Sequence, residues 1–383
     1  MKHWTALLLS LLLASCALRP PAPPPTALLH DHLFAAPRVK VDAADVFDLS
    51  DEMRRYAAEG LQPTSFRRDP RRALIDALYT GGQLRLRYDA SVTRSASEAF
   101  AARAGNCLSL VIMTAAFARH LGLPVSYRSV IVDDQYTRQG DLTLNSGHVN
   151  LVLDRLAQLS NLPGLDPEPL TIDFLPPDEL RGSHSVPLAE RTIVAMFMNN
   201  RAAEALAAGQ LDDAYAWARA AVHEDPGFAA ATNTLGVVYL RAGHLREAET
   251  ALRAVLARSP EHLSAMSNLV QLLQRAGRAD EARSLGERLA QLQPHPPFHD
   301  YDLGRKAMAA GDYRQAREHF ARELKRQPYQ HEVLFWAAQA DWQLGDRAAA
   351  ARHLRQAMDY SPTIGSQQNY AAKLDRLRAQ RVQ

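Results

Sequence analysis

Pro226, Pro260, Pro294, Pro328 and Pro362 stand 34 residues apart, and Gly209, Gly243, Gly277, Gly311 and Gly345 keep the same interval. So do Ala214, Ala248, Ala282, Ala316 and Ala350. Three columns sharing one interval describe a supersecondary unit that cannot bury its apolar face alone and must stack on its neighbours. Alanine suits the place where two helices touch, glycine the left-handed turn between them, and proline the point where the second helix must stop.

The unit from Leu235-Gly236-x-x-Tyr239 through Ala248, Leu252 and Pro260 resembles the tetratricopeptide repeat. Five repeats then occupy about 195–362, and an amphipathic helix from Gln367 to Arg381 caps the open end of an all-α solenoid spanning 187–383. The resemblance implies a superhelix whose concave groove is lined by the first helix of each pair. Helical spacing puts Asn233, Arg241, Asn268, Gln271, Arg275, Tyr301, Arg305, Phe335, Gln339 and Trp342 near that groove. Arginines, amides and aromatic rings together suit a protein or extended peptide segment.

The other end of the chain reads as targeting sequence. Lys2 and His3 precede a short apolar run from Trp4 to Ala14, and Leu13-Ala14-Ser15-Cys16 closes it. The run is too short to span a bilayer but has the form of a secretory h-region. Leu-Ala-Ser-Cys resembles the lipobox of bacterial lipoproteins, which implies residues 1–16 as signal peptide and lipobox, a lipid anchor on Cys16 and an outer-membrane, periplasm-facing location. Residues 17–45 read as a proline-rich tether, and His30-Asp31-His32 beside it as an exposed polar patch rather than a metal site. With only two cysteines in 383 residues, consuming Cys16 leaves Cys107 as the one free thiol. A net charge of +2 gives no reason to expect nucleic acid. Neither a phosphate-binding glycine loop nor a dinucleotide fingerprint appears, so no cofactor or metal is expected.

Residues 46–186 are mixed. Ser50 and Asp69-Pro70 open helices, Ser95 to Arg103 reads as a third, and the Arg67, Arg68, Arg71 and Arg72 cluster reads as a solvated helix edge. Gly105-Asn106 then delivers Cys107 to the first turn of a helix that runs to His120 and is apolar on nearly every face, the pattern of a buried central helix. A thiol in that position can be an activated nucleophile or a small core residue. Strands follow at Val125–Val132, His148–Leu153 and Leu170–Leu175, with a polar loop over Asp133–Asn145. Neighbouring pairing would bring His148 to Asp173, and a carboxylate between Ile172 and Phe174 must be paired to be tolerated.

Gly105-Asn106-Cys107, Ala118-Arg119-His120-Leu121-Gly122-Leu123-Pro124, Gly147-His148-Val149-Asn150 and Thr171-Ile172-Asp173-Phe174 together resemble the transglutaminase-like superfamily, over roughly residues 85–178. The resemblance implies an α+β papain-like core with Cys107 as nucleophile, His148 as its base and Asp173 as the group orienting His148. It also implies the Cys107 backbone N–H as part of an oxyanion hole. Asn150 lies two residues beyond His148 on the same strand face and would support it. Many members carry Ala-Trp after the histidine, whereas this chain has Val149-Asn150 and no tryptophan between Trp4 and Trp217. That difference points to peptidase or amidase chemistry before cross-linking. The expectation is a lipid-anchored cysteine acyl-transfer enzyme whose repeats recruit a protein or peptide. The alternative is a non-catalytic repeat adaptor carrying a degenerate transglutaminase-like module.

Overall fold

The structure is a computed structural model, and it describes residues 25–60, 69–80, 84, 86–131, 136–139, 142–145, 147–154, 168–174, 184–361 and 363–379. The signal segment and lipobox, Gly81-Gly82, and Arg67 and Arg68 lie outside the described residues. The chain divides into two compact units: the residues up to Val41 with Val194–Pro294, and Asp42–Ile193 with His295–Gln383.

In the second unit, Ser50 opens α1 (Asp51–Gly60), its Oγ accepting the Met53 N–H at 3.2 Å. Helix α2 (Pro70–Ile75) starts from Asp69, whose side chain accepts the Arg71 N–H, with proline at the first helical position, and runs on as a π turn over Asp76–Thr80. After β1 (Arg87–Tyr88), a reciprocal capping box between Ser95 and Glu98 starts α3 (Ala96–Ala102). Strand β2 (Ala104–Gly105) then pairs in parallel with β1. Helix α4 (Cys107–His120) is buried from Leu108 through Ala118, as expected of a helix apolar all round.

The strands are β3 (Val125–Ile131), β4 (Tyr136–Gln139), β5 (Leu142–Asn145), β6 (His148–Leu153), β7 (Leu170–Ile172) and β8 (His184–Leu188). Four form an antiparallel sheet in the order β7-β6-β3-β8, with α4 packed on β6. Three features differ from the sequence reading. The segment read as a polar loop carries the β4–β5 hairpin, because cross-strand pairing of Thr137 with Leu144 and of Gln139 with Leu142 needs no apolar run. Strand β7 ends at Ile172, so Asp173 lies just past the strand rather than within it. Strand β8 pairs with β3 at the sheet edge, the place where Pro187, lacking an N–H, is tolerated.

Arg71 is a correction of a different kind. It is 2% exposed, not solvated. Its guanidinium pairs with Asp69 at 2.6 Å and donates to the Glu168 carbonyl at 2.8 Å and the Leu153 carbonyl at 3.5 Å. It thereby ties α2 to the end of β6 and the approach to β7. Arg72 beside it is exposed.

The repeat helices run α5 (Glu190–Ala207), α6 (Leu211–Glu224), α7 (Ala229–Ala242), α8 (Leu245–Arg258), α9 (Leu263–Arg275) and α10 (Ala279–Leu292). The second unit continues with α11 (His299–Ala309), α12 (Tyr313–Arg326), α13 (His331–Gln343), α14 (Arg347–Asp359) and α15 (Ile364–Ala379). The five spaced glycines all sit in the turn of a pair with φ between 71° and 85°, where a Cβ would be strained. The five spaced alanines are all buried. Helix α15 places Leu374 against Ala338 and Leu354, closing the last repeat.

Part of the segment read as a free tether is docked. Residues 28–38 lie on α6 and α7 of the first unit, where the His30-Asp31-His32 turn is hydrogen-bonded to Tyr215 and Tyr239 while Asp31 and His32 stay exposed, as expected of a polar patch.

Candidate functional site

Gly105, Asn106 and Ser109 shape the entry to α4. The Asn106 carboxamide oxygen accepts the Ser109 N–H at 2.9 Å and the Ser109 hydroxyl at 2.8 Å, while its Nδ2 donates to Thr93 Oγ1 at 2.9 Å. The Ser109 Oγ in turn accepts the Arg94 N–H at 2.8 Å. A Cβ on Gly105 would come within 2.7 Å of Ser109 Cβ, so glycine is required for this close approach. The result presents a half-buried Cys107 at the first helical position, where backbone N–H groups lack intrahelical acceptors and the dipole favours negative charge.

His148 opens β6 and is 2% exposed. Its Nε2–H donates to Asp173 Oδ1 at 2.6 Å, and the Cys107 side chain is near enough to the ring to favour its protonated form. The antiparallel register explains the first contact. Leu151 faces Ile172, so the chain just beyond β7 reaches the level of the first residues of β6. Phe174 packs its ring 5.3 Å from that of Tyr79, fixing the segment past the strand. Burial alone would lower the His148 pKa. The hydrogen bond that the ring donates to the Asp173 carboxylate, and the neighbouring Cys107 and Asp173 side chains, outweigh it and push the value up to about 9. These surroundings favour the protonated ring over the neutral one.

Asn150 is 6% exposed, and its Nδ2 donates to Asp173 Oδ2 at 3.4 Å. Its Oδ1 is buried without a hydrogen-bond partner. Asp173 thus takes one bond from His148 and one from Asn150, which fixes both carboxylate oxygens.

The ten residues expected along the groove fall in both units. In the first, Asn268 Nδ2 donates to Asn233 Oδ1 at 3.0 Å across α9 and α7, while Arg241, Gln271 and Arg275 are exposed. In the second, Tyr301, Arg305 and Phe335 line a cleft of about 540 Å³ with Glu332, Trp336, Ser366, Asn369, Tyr370 and Lys373. The Arg305 guanidinium lies 3.8 Å from the centre of the Trp336 ring, and Lys373 Nζ lies 4.4 Å from that of Phe335. Its volume falls in the range of ligand sites. Gln339 and Trp342 are not on this cleft, and Trp342 packs against the cluster of Ala338, Leu354 and Leu374 under α15. Tyr370 and Lys373 were missed because α15 lies outside the 34-residue columns, so repeat spacing says nothing about which side it turns inward.

The chain carries tetratricopeptide repeats: one tetratricopeptide-repeat family model matches 233–297 and 301–363, and a second matches 205–257. Repeats of this kind provide a surface for binding proteins or peptides. Among solved structures the chain is similar to MamA, at 18% identity over 45% of this chain and 93% of that one, with a TM-score of 0.25. It is similar to YrrB, a TPR protein with an unusual peptide-binding site, at 20% identity over 46% and 92%, TM-score 0.25. It is similar also to PilF of Pseudomonas aeruginosa, at 20% identity over 49% and 94%, TM-score 0.28. No curated protein matches the chain significantly.

Proposed function

We propose that the protein binds a protein or extended peptide through its repeats and also carries a cysteine acyl-transfer site. The repeat matches support the interaction scaffold, and so favour the adaptor alternative over an enzyme. The enzymatic part of the proposal rests on one observation: the buried His148 ring pairs with the Asp173 carboxylate at 2.6 Å, with Cys107 among the groups that favour its protonation. A papain-like, transglutaminase-like centre would use Cys, His and Asp in these roles, which supports the reading.

In that chemistry the Cys107 thiol gives its proton to His148, the resulting thiolate attacks an acyl carbon, and backbone N–H groups of the first turn of α4 take the developing oxyanion. The His148 imidazolium gives its proton to the departing amine, which leaves a thioester on Cys107. His148 then removes a proton from water as the oxygen attacks the thioester carbon, releasing the acid and restoring the thiol. An amine in place of the water would give transamidation. Asp173 and Asn150 position the imidazole and touch no substrate. Lipid anchoring at Cys16 and an outer-membrane, periplasm-facing location belong to the same proposal. Among the described residues no helix is long and apolar enough to cross a membrane.

Iodoacetamide labelling at Cys107, read by mass spectrometry of its peptide across pH, tests the site. A half-point well below the ordinary thiol range, lost in His148→Ala, supports acyl transfer. Labelling only after denaturation leaves the adaptor as the function. For the repeats, a peptide library panned on the wild type and on Arg305→Glu/Trp336→Ala should lose its binders in the variant.

A further inference from the structure

Residues 28–38 are laid on the first two repeats as a bound peptide would be. The His30 N–H donates to the hydroxyls of Tyr215 and Tyr239 at 2.9 and 3.1 Å, and the Tyr239 hydroxyl donates to the Leu28 carbonyl at 2.9 Å. Asp31 accepts from the Tyr215 hydroxyl at 2.8 Å and from Arg219 at 2.9 Å. The Phe34 ring stacks on Tyr215, centroids 4.1 Å apart and planes within 6°. The Ala35 N–H then donates to Asp212 at 2.9 Å and the Arg38 N–H to Asp213 at 2.7 Å, with the Arg38 guanidinium 3.2 Å from the same carboxylate.

Two facts separate this from ordinary packing. Asp213 is 3% exposed, and its carboxylate is matched by Arg38 of the strap. Asp213 stands in the first turn of α6, where the helix dipole favours a carboxylate, and Arg38 of the strap supplies the cation and N–H that its burial requires. The strap itself stays on the surface, with the Asp31 and Arg38 side chains 62% and 69% exposed and Leu28 as its buried anchor. It contributes little core of its own.

We propose that α6 and α7 form a peptide-docking face whose resident ligand is the chain's own residues 28–38. A protein segment of the same chemistry competes for it: an apolar residue, an acidic one three on, an aromatic ring three further and a cation four beyond. The face differs from the cleft at Trp336 and requires no reaction at Cys107, so it goes beyond the function proposed above.

A tethered ligand acts at an effective concentration on the order of millimolar, so a free copy of the segment binds poorly while the strap is in place. The test uses the full chain and a fluorescein-labelled peptide of residues 27–40, followed by anisotropy. With the strap loosened by Asp31→Ala/Phe34→Ala, the peptide should bind about 100-fold tighter than to the wild type, and a peptide carrying the same two substitutions should not bind. Equal peptide affinity for the wild type and the loosened variant, or no binding to a loosened variant whose circular dichroism is unchanged, overturns the proposal. Amide exchange on the wild type decides the matter if that variant does not fold. The His30, Ala35 and Arg38 amides should exchange well before those inside α6 and α7. Exchange of all of them together, through one global opening, makes the strap a fixed part of the repeat core and also overturns the proposal.

Discussion

Asp173→Asn keeps the shape of the side chain and removes its charge, so it isolates what the carboxylate does to His148. In the wild type, burial pulls the imidazole pKa down, while Asp173 and Cys107 push it up from 6.5 to about 9. At about 1.4 kcal/mol for each pH unit, that rise corresponds to about 3 kcal/mol of preference for the protonated ring in the folded state. A histidine whose folded pKa is raised contributes its stability fully below the unfolded value of 6.5, and that contribution is lost as pH climbs through about 9. With the charge gone, burial weighs against a single remaining partner, and the ring should titrate at least about one pH unit lower. The assay is the Hε1 resonance of His148, assigned by its absence in His148→Gln. A midpoint near 9 in the wild type and well below it in the variant supports the reasoning. The same midpoint in both proteins refutes it, because the carboxylate would then not hold the proton on the ring.

Arg71→Ala leaves the 8%-exposed Asp69 carboxylate without its guanidinium and frees the Glu168 and Leu153 carbonyls; it should cost about 3–5 kcal/mol in urea unfolding of the region around α2 and β6. Gly105→Ala forces its new Cβ against Ser109, so it should destabilise by about 1–3 kcal/mol and disturb Cys107 labelling at constant pH. His331 moves opposite to His148. Burial holds its pKa down to about 4, and its Nδ1 lies 2.9 Å from the Tyr370 hydroxyl. Its contribution is present above 6.5 and lost as pH falls towards 4, so amides in α15 should lose exchange protection on acidification, and His331→Gln should lessen that loss.

Local chemistry was legible wherever neighbours in sequence are neighbours in space. The five turn glycines, the five buried alanines, the capped start of α1 and the full extent of α4 follow from periodicity and capping, whose partners lie within a few residues. Cys107, His148 and Asp173 could be named as candidates from a helix start, a strand start and a carboxylate between two apolar residues, although Asp173 lies just past β7. Asn150 was visible through the two-residue period of β6, but its bond to Asp173 depends on how the strands register. Long-range partners were not legible. Arg71 in an arginine-rich run looks solvated until Asp69 and the Glu168 carbonyl enclose it, and a proline-rich leader looks like a spacer until Tyr215 and Tyr239 meet its backbone.

The sequence by itself therefore determined the repeat solenoid, the buried cysteine helix and the candidate thiol, since each is encoded in spacing along the chain. Only the tertiary structure decided that His148 pairs with Asp173, that β7 stops one residue short of Asp173, and that residues 28–38 rest on the first repeats. Those outcomes depend on pairing register and on hydrogen bonds between residues up to about two hundred positions apart, which carry no local periodicity.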